Sequence, residues 1–314
     1  MSTVAPDYTV DGLVTSVFTK YLVPNSQSTY QPADITLFLD EELRSYIIPF
    51  FERAQSGYWL TRFDQAITGA ASYTIPKRST YGTLYDVVFV DTNGNEIGLT
   101  DLSTVQIKGT FPFGFQLPLY TFGYYIEDDQ VFLYPQQAIN ATQYTLRMRF
   151  YRRPNNLTLM ANCAQITAIS GSVVTVNAVP ATWATTDTFD VIQNFPQFKS
   201  ISDGLAITLI SNLNITLASV PTGLAVGMWL CPTGMSCIPQ IPYDAFPLLV
   251  QRGIIRAAES LGDTQSAQIA EKRLEKMEAD VRVTIQPRVT KGEKKVVNRN
   301  QPYNWGILGT PFLR

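Results

Sequence analysis

The feature that most constrains the fold is an internal repeat. Residues 166–180 read ITAISGSVVTVNAVP and residues 207–221 read ITLISNLNITLASVP, without gaps and at an offset of 41 residues. Seven of the 15 positions are identical. Each unit has two strand-like runs around a Ser-Gly or Ser-Asn turn, then a proline-led loop and a third run. Two such units predict a small six-stranded barrel or sandwich. The alternative is that strands rich in Thr and Val resemble each other by chance.

A second β-rich region precedes the repeat. Between residues 58 and 155 the runs ASYTIP, LYDVVFVD, YYIEDDQVFLYP and QYTLRMRFYRRP have the character of antiparallel strands. Asn93-Gly94 is the dipeptide most typical of a two-residue hairpin turn, in which both residues take a positive φ. The acids Glu127–Asp129 predict a second hairpin turn that faces solvent. Consecutive acids on a turn point to different sides, which argues against a paired-carboxylate catalytic site.

Helical patterns flank both β-regions. VDGLVTSVFTKYL and ADITLFLDEELRSYII each carry an apolar stripe, and Asp34 is a suitable N-cap for the second. After Pro242, AFPLLVQRGIIRAAESL and TQSAQIAEKRLEKMEADVRV predict a helical hairpin whose first helix stops at Gly262. Each helix has an apolar face to bury, so we expect the two pairs to pack together.

The predicted fold class is therefore α+β. A discontinuous four-helix domain is formed from both ends of the sequence, with inserted antiparallel β-domains and an extended C-terminal arm. The predicted boundaries are 1–57 for the N-terminal helices, 58–160 for the β-domain, 161–238 for the duplicated β-module with repeats 166–192 and 207–232, 239–285 for the C-terminal helical hairpin, and 286–314 for the arm.

The amino-acid composition removes most catalytic chemistry. The 314 residues include no histidine, which excludes Ser-His-Asp and Cys-His nucleophiles and most zinc or iron sites. Cys163, Cys231 and Cys237 are odd in number, and CPTGMSC lacks the spacing and second ligand pair of a zinc knuckle. We therefore expect no enzyme activity, no disulfide framework, no metal site and no cofactor. The sequence also lacks a membrane-spanning run and a signal-peptide pattern, which predicts synthesis in a reducing cytoplasm.

The charge is distributed unevenly along the chain. From Arg282 onward the formal charge is +6, whereas the preceding residues carry −8. The last residues also hold aromatic side chains that no helix or strand periodicity organises. Disordered tails seldom keep such residues, so we expect residues 286–314 to be an arm that docks on another subunit. The residues expected to make this contact are Lys291, Lys294, Lys295, Arg299, Tyr303, Trp305 and Phe312.

A second cationic candidate lies in the strand YTLRMRFYRRP. With a period of two, Arg147, Arg149 and Arg153 share one face, while Leu146 and Met148 face the core. Such a face could pair with acids of a neighbouring subunit or meet the DNA backbone in a channel. The alternative is an ordinary solvated sheet face.

The order of these segments resembles the head–tail connector proteins of tailed bacteriophages, which form the adaptor or neck ring below the portal. The resemblance is carried by DITLFLDEELRSYIIPFFERAQSGYW, ASYTIPKRS, LYDVVFVDTNGNEIGL, YYIEDDQVFLYPQ and YTLRMRFYRRPNNL. It covers residues 34–157, with weaker support from residues 243–284. The duplicated module at 161–238 departs from the basic adaptor and leaves open a different neck ring or a tail component.

The resemblance implies a structural virion protein at the head–tail junction, made in the cytoplasm of the bacterial host. It implies a homo-oligomeric ring, typically of about twelve copies, assembled around a DNA channel. The implied partners are the portal protein, which the C-terminal extension reaches, and other neck or tail proteins. DNA passes through without sequence readout, and no membrane is involved.

A different class of function remains open at this point. The β-modules could bind carbohydrate in a receptor-binding or depolymerase-associated tail component. Trp183 and Trp229 would then be the stacking platforms.

Overall fold

A computed structural model describes residues 8–21, 30–54, 56–102, 122–134 and 143–285. The predicted arm at 286–314 lies outside these ranges. The described α-helices are α1 Val10–Tyr21, α2 Pro32–Glu42, α3 Ile48–Ala54, α4 Phe246–Ser260 and α5 Thr264–Ile285, with a π-helical turn Leu43–Ile47 joining α2 to α3. None of these helices is long and apolar enough to cross a membrane.

The strands fall into two β-rich units. The first contains β1 Leu60–Ala66, β2 Ser72–Thr74, β3 Asp86–Asp91, β4 Glu96–Gly98, β5 Thr100–Asp101, β6 Gly123–Glu127, β7 Gln130–Tyr134 and β8 Tyr144–Tyr151. After β9 Asn156–Leu157, the second contains β10 Ala164–Ser170, β11 Val173–Val176, β12 Thr188–Ile192, β13 Ser200–Ser211, β14 Asn214–Leu217 and β15 Trp229–Pro232, and β16 Met235–Ser236 pairs with β9. The expected mixture of helices and antiparallel sheets is confirmed.

The first unit has two four-stranded sheets that share one core. Their orders are β1-β8-β3-β4 and β2-β7-β6-β5, and Phe89 and Val131 are buried between them. Both expected hairpins are present. The turn with two positive φ values is Asp128–Asp129, however, whereas at Asn93-Gly94 only Gly94 has a positive φ. There the Asp91 carboxylate closes the turn by accepting hydrogen bonds from the Asn93 and Asn95 amides at 2.8 Å.

The repeat folds into a closed six-stranded barrel of order β10-β11-β14-β13-β12-β15. This confirms the barrel and excludes the open sandwich. The two copies share local irregularities at the same offset. Each first hairpin shifts register, between Ile166 and Ala168 in one copy and between Ile207 and Leu209 in the other. Gly171 and Asn212 take positive φ values at matching turn positions. A chance likeness between Thr- and Val-rich strands would not reproduce a bulge and a turn together.

The helices pack through a close approach at one glycine. A Cβ atom on Gly253 of α4 would lie 2.7 Å from a methyl of Leu39 in α2 and 3.2 Å from a methyl of Val17 in α1. Helix α4 also packs along α5, where Gln251 donates a hydrogen bond to the carbonyl of Ala270 at 3.0 Å. The apolar core of these helices continues beneath the barrel through Ile192, Trp229 and Phe198.

The end of α4 and the start of α2 are set by residues with specific capping chemistry. Gly262 has a φ of +73° and follows α4, as expected of a C-terminal stop. The expectation for Asp34 is wrong by one turn, because Gln31 is the N-cap and Pro32 begins α2. Asp34 is the third helical residue, and its carboxylate accepts a hydrogen bond from the Gln31 amide at 2.8 Å, which closes a capping box.

The glycine contact gives a stability prediction. We expect Gly253→Leu to destabilise the protein by about 1–3 kcal/mol, because the added side chain must displace Leu39 and Val17 in a packed core. Gly98→Leu on the exposed strand β4 is the matched control, since no atom lies within 4 Å of its Cβ position. The control should change stability by no more than about 0.5 kcal/mol. Urea unfolding measures both, and equal effects would contradict the packing described.

Candidate functional site

The segment that joins the first β-unit to the barrel forms hydrogen bonds with several separate parts of the described molecule. We call residues 152–163 the junction segment. Its backbone amides donate hydrogen bonds to partners far apart in the sequence. These are Arg152 to the Trp59 carbonyl, Arg153 to the Arg78 carbonyl, Asn156 to the Gly234 carbonyl, Leu157 to the Asp40 carboxylate, Thr158 to the Ser236 carbonyl and Met160 to the Asp11 carboxylate, at 2.7 to 3.0 Å. The junction segment is therefore held by helices α1 and α2, by the first β-unit and by the β15–β16 segment, residues 229–236.

A buried carboxylate lies at the centre of this junction. Asp190 in β12 is 0% exposed, and its two oxygen atoms accept four hydrogen bonds. The donors are the Arg78 guanidinium and the side-chain amide of Asn155, each at 2.7 Å, and the backbone amides of Gly204 and Gly234, each at 2.9 Å. Arg78 also donates to the Asn155 side-chain oxygen at 2.9 Å. Since these donors satisfy the carboxylate, its burial is tolerated, and the first β-unit is fixed to the barrel.

Gln240 extends this network to the helical core. Its side-chain oxygen accepts a hydrogen bond from the backbone amide of Asn155 at 2.7 Å, and its backbone carbonyl accepts one from the Trp59 indole at 3.0 Å. Gln240 lies in the chain just before α4. These two hydrogen bonds therefore fix the position of the junction segment relative to the start of the helical hairpin. Sequence reasoning missed Asp190, Asn155 and Gln240, because single polar residues in strands and loops carry no pattern that marks their burial.

A groove of about 600 Å³ runs beside this network, between the first β-unit and the barrel. Arg62, Lys77, Arg78 and Arg152 contribute to its walls, and Asp203 supplies a carboxylate. Arg152 forms an ion pair with Asp203 across the groove. The groove is thus a polar seam between two units, with an excess of cationic side chains in its lining.

The predicted cationic face is largely neutralised within its own sheet. Arg147 binds Asp64 through two hydrogen bonds of 2.7 and 2.8 Å and Glu96 through one of 2.7 Å. Arg149 binds Asp86 at 2.8 Å and Glu96 at 2.5 and 2.7 Å. Hydrogen bonds from these arginines lower the pKa of Asp64 and of Glu96. The surface presented by β8 is therefore a mixed-charge face.

The other predicted contact residues lie elsewhere. Arg153 is exposed but is two residues beyond the end of β8, so it does not continue the strand that carries Arg147 and Arg149. The arm residues lie outside the described residues, namely Lys291, Lys294, Lys295, Arg299, Tyr303, Trp305 and Phe312.

An aromatic patch lies at the edge of the helical core. Tyr8 stacks on Phe195 at 5.2 Å and meets Tyr243 edge-on at 5.5 Å, over the buried rings of Phe198 and Phe246. Phe195 is 54% exposed and Tyr243 is 47% exposed. Exposed aromatic residues that cluster in this way are typical of protein contact surfaces. The patch escaped the sequence analysis because its residues come from three distant segments.

The tryptophans considered for carbohydrate binding do not form an open platform. Trp229 is 4% exposed and belongs to the core beneath the barrel. Trp183 is half-buried, and its ring packs 4.4 Å from that of Phe189 in the barrel interior. Neither ring offers the free flat face that sugar stacking needs, so the structure does not favour carbohydrate binding at these residues.

The three cysteines meet where the barrel joins the helical core. Their Sγ atoms all lie within 4.8 Å of one another, and those of Cys231 and Cys237 are 3.9 Å apart. Hydrogen bonds from the neighbouring thiols lower the pKa of Cys163 to about 5, whereas burial raises the pKa of Cys231 and of Cys237. Spacing rules could not reveal this cluster, because the third sulfur comes from a distant part of the chain. Among the described residues, these sulfur atoms are the group best placed to hold a metal ion.

The Asp190 network gives a prediction about stability. We expect Asp190→Ala to destabilise the protein by about 3–5 kcal/mol, because it leaves Arg78 and Asn155 without their shared buried partner. Glu271→Ala is the charge-matched control, since Glu271 is exposed on α5. It should cost no more than about 0.5 kcal/mol. Urea unfolding followed by tryptophan fluorescence compares the two, and similar losses would contradict a central role for Asp190.

The ion pair between Arg147 and Asp64 gives a prediction about pH. A lowered pKa means that the native state favours the charged form of Asp64, whose usual pKa is 3.8. Its contribution is thus complete above that value and is lost as the pH falls through the lower native pKa. Asp64→Asn should therefore cost about 0.5–1 kcal/mol near neutral pH, and this cost should shrink steadily as the pH is lowered below 3.8.

The double variant provides the control for this pH dependence. When Arg147→Gln removes the main partner, adding Asp64→Asn should change the free energy of unfolding by the same small amount at every pH. A gap between wild type and Asp64→Asn that stays constant on acidification would contradict the assignment.

Two comparisons of the sequence with known proteins were negative. No protein-family model matches the chain, and no curated protein matches it. The resemblance to phage connector proteins therefore rests on the order and pattern of segments in this sequence. Four structural features are available for assigning a function. They are the two β-units connected by the junction segment, the polar seam, the mixed-charge face and the aromatic patch.

Proposed function

We propose that this protein is a structural adaptor of a tailed-phage virion. It forms a ring below the portal, joins the capsid vertex to the tail and lines the DNA channel. The observation that carries the proposal is the packing of helices from both parts of the chain against each other, with two β-units inserted between them. This is the segment order on which the resemblance to connector proteins rests.

The helices are proposed to form one discontinuous domain that carries the ring. The close approach of α4 to α1 and α2 at Gly253 supports this. So do two contacts that reach across the sequence, namely the ion pair between Arg252 and Glu42 at 2.7 Å and the hydrogen bond from Tyr46 to Glu278. Because the helices before and after the β-units pack together, each β-unit is connected to the helical domain at both of its ends. Such a connection suits a protein that transmits force between capsid and tail.

The aromatic patch is the proposed contact with a neighbouring copy. It lies beside the starts of α1 and α4, so a neighbour that packed there would bring helical domains together around the channel. Phe195 and Tyr243 would bury large apolar areas on assembly. The mixed-charge face of Arg147 and Arg149 would form a polar rim, and the exposed Arg153 would pair with acids of the neighbour or with passing DNA.

The arm at 286–314 is the proposed link to the portal. Tyr303, Trp305 and Phe312 would be the buried anchors, since aromatic residues dominate the energy of most interfaces. Lys291, Lys294, Lys295 and Arg299 would steer the arm to an acidic groove and fix its register. The +6 charge of the segment from Arg282 onward, against −8 for the rest, supports an electrostatic role.

Deletion of residues 286–314 tests this assignment. We expect the shortened protein to keep its unfolding midpoint but to lose co-purification with the portal protein. Replacing Tyr303, Trp305 and Phe312 by alanine should have the same effect. Replacing Lys291, Lys294 and Lys295 by glutamine should instead slow association and reduce its dependence on salt.

Ile269→Ala is the matched control for the aromatic substitutions. Ile269 is an aliphatic residue that is 59% exposed on α5, outside the arm. Its replacement should leave portal binding unchanged. Full binding by the deletion variant, measured by pull-down at physiological salt, would show that the arm is not the link.

A further inference from the structure

We propose that Cys163, Cys231 and Cys237 bind one thiophilic d10 metal ion, Zn²⁺ or Cu⁺, through their three sulfur atoms. The site lies between the junction segment, the β15–β16 segment and the beginning of α1. It is independent of the proposed virion function. It would serve as a structural cross-link between segments that otherwise meet only through hydrogen bonds and apolar contacts.

The spacing of the sulfur atoms suits a shared ion. Zinc–sulfur bonds of about 2.3 Å place the sulfurs of one site about 3.8–4.0 Å apart, in either tetrahedral or trigonal geometry. The Cys231 and Cys237 sulfurs are 3.9 Å apart, and Cys163 completes a set within 4.8 Å. Small rotations of buried side chains would therefore bring all three onto one centre.

The fold brings these residues together from separate elements. Cys163 ends the junction segment, Cys231 lies in β15 and Cys237 directly follows β16. All three are at most 3% exposed. Since these are all the cysteines of the chain, their meeting at one point is more than apolar packing alone requires. A buried cysteine can act as a small apolar residue, but that role does not direct three sulfur atoms at one another.

A backbone hydrogen bond fixes the start of α1 next to the cluster. The Cys237 carbonyl accepts a hydrogen bond from the Val10 amide at 2.8 Å, which sets the positive end of α1 beside the cluster.

The donor atoms define the class of ion. Three sulfurs select soft or borderline ions such as Cu⁺ and Zn²⁺ and disfavour Mg²⁺ and Ca²⁺, which require oxygen ligands. Cu⁺ is satisfied by three sulfurs. Zn²⁺ prefers four ligands, so a water molecule would take the fourth position. The two ions therefore differ in whether an oxygen atom joins the sulfurs.

Metal analysis of the full chain tests the proposal. The protein is purified under anaerobic, reducing conditions, incubated with Zn²⁺ or with Cu⁺, desalted and measured by elemental mass spectrometry. We expect one equivalent of ion per chain in at least one arm and a higher unfolding midpoint for the loaded protein than after chelation. X-ray absorption should count three sulfur ligands in the wild-type protein, with an added oxygen in the zinc arm.

Single substitutions locate the ion. Cys163→Ser, Cys231→Ser and Cys237→Ser should each reduce the bound metal to background and abolish the shift in unfolding midpoint. Ala164→Ser is the matched control, because it adds a hydroxyl at an equally buried neighbouring position without removing a sulfur. It should lower stability yet retain one ion.

Three results would overturn the proposal. The first is no bound ion in either arm of the wild-type experiment, which decides the matter even if the serine variants do not fold. The second is undiminished metal in a folded Cys163→Ser protein. The third is a disulfide between two of these cysteines, detected by mass after alkylation without reduction in protein purified from the cytoplasm.

Discussion

The buried contact between Asp190 and Arg78 is the interaction on which the arrangement of the described units depends. Asp190 belongs to the barrel and Arg78 to the first β-unit, while Asn155 of the junction segment binds both. A carboxylate that is 0% exposed is tolerated only when all its partners are in place. The network therefore favours one relative position of barrel and β-unit and penalises others.

Three further contacts connect this network to the helices. Gln240 links the junction segment to the chain entering α4, and Asp11 and Asp40 bind it from α1 and α2. The cysteine cluster lies at the same meeting point, so a bound ion would reinforce the joint where the polar network ends. The proposed ring component would have to hold its parts in a fixed orientation, and contacts of this kind would do so.

Local chemistry predicted much of the fold, and long-range contacts account for what it missed. The repeat at 166–180 and 207–221 predicted a six-stranded barrel or sandwich, of which the structure shows the barrel, because turn residues and strand periodicity act within a few positions. Gly262 marked a helix end for the same reason. The pairing of Arg147 with Asp64 and Glu96 could not be foreseen, since strand register across a sheet is set by tertiary packing. The partners of Asp190 and of Cys163 are equally distant in sequence.

The central claim is that the chain assembles into a closed ring through its helical domain. Electron microscopy of the purified full-length protein, alone and mixed with portal protein, tests this most directly. We predict ring-shaped class averages with a central channel, in which the helices lie innermost and the barrels further out. Particles that remain single chains under both conditions would contradict the account.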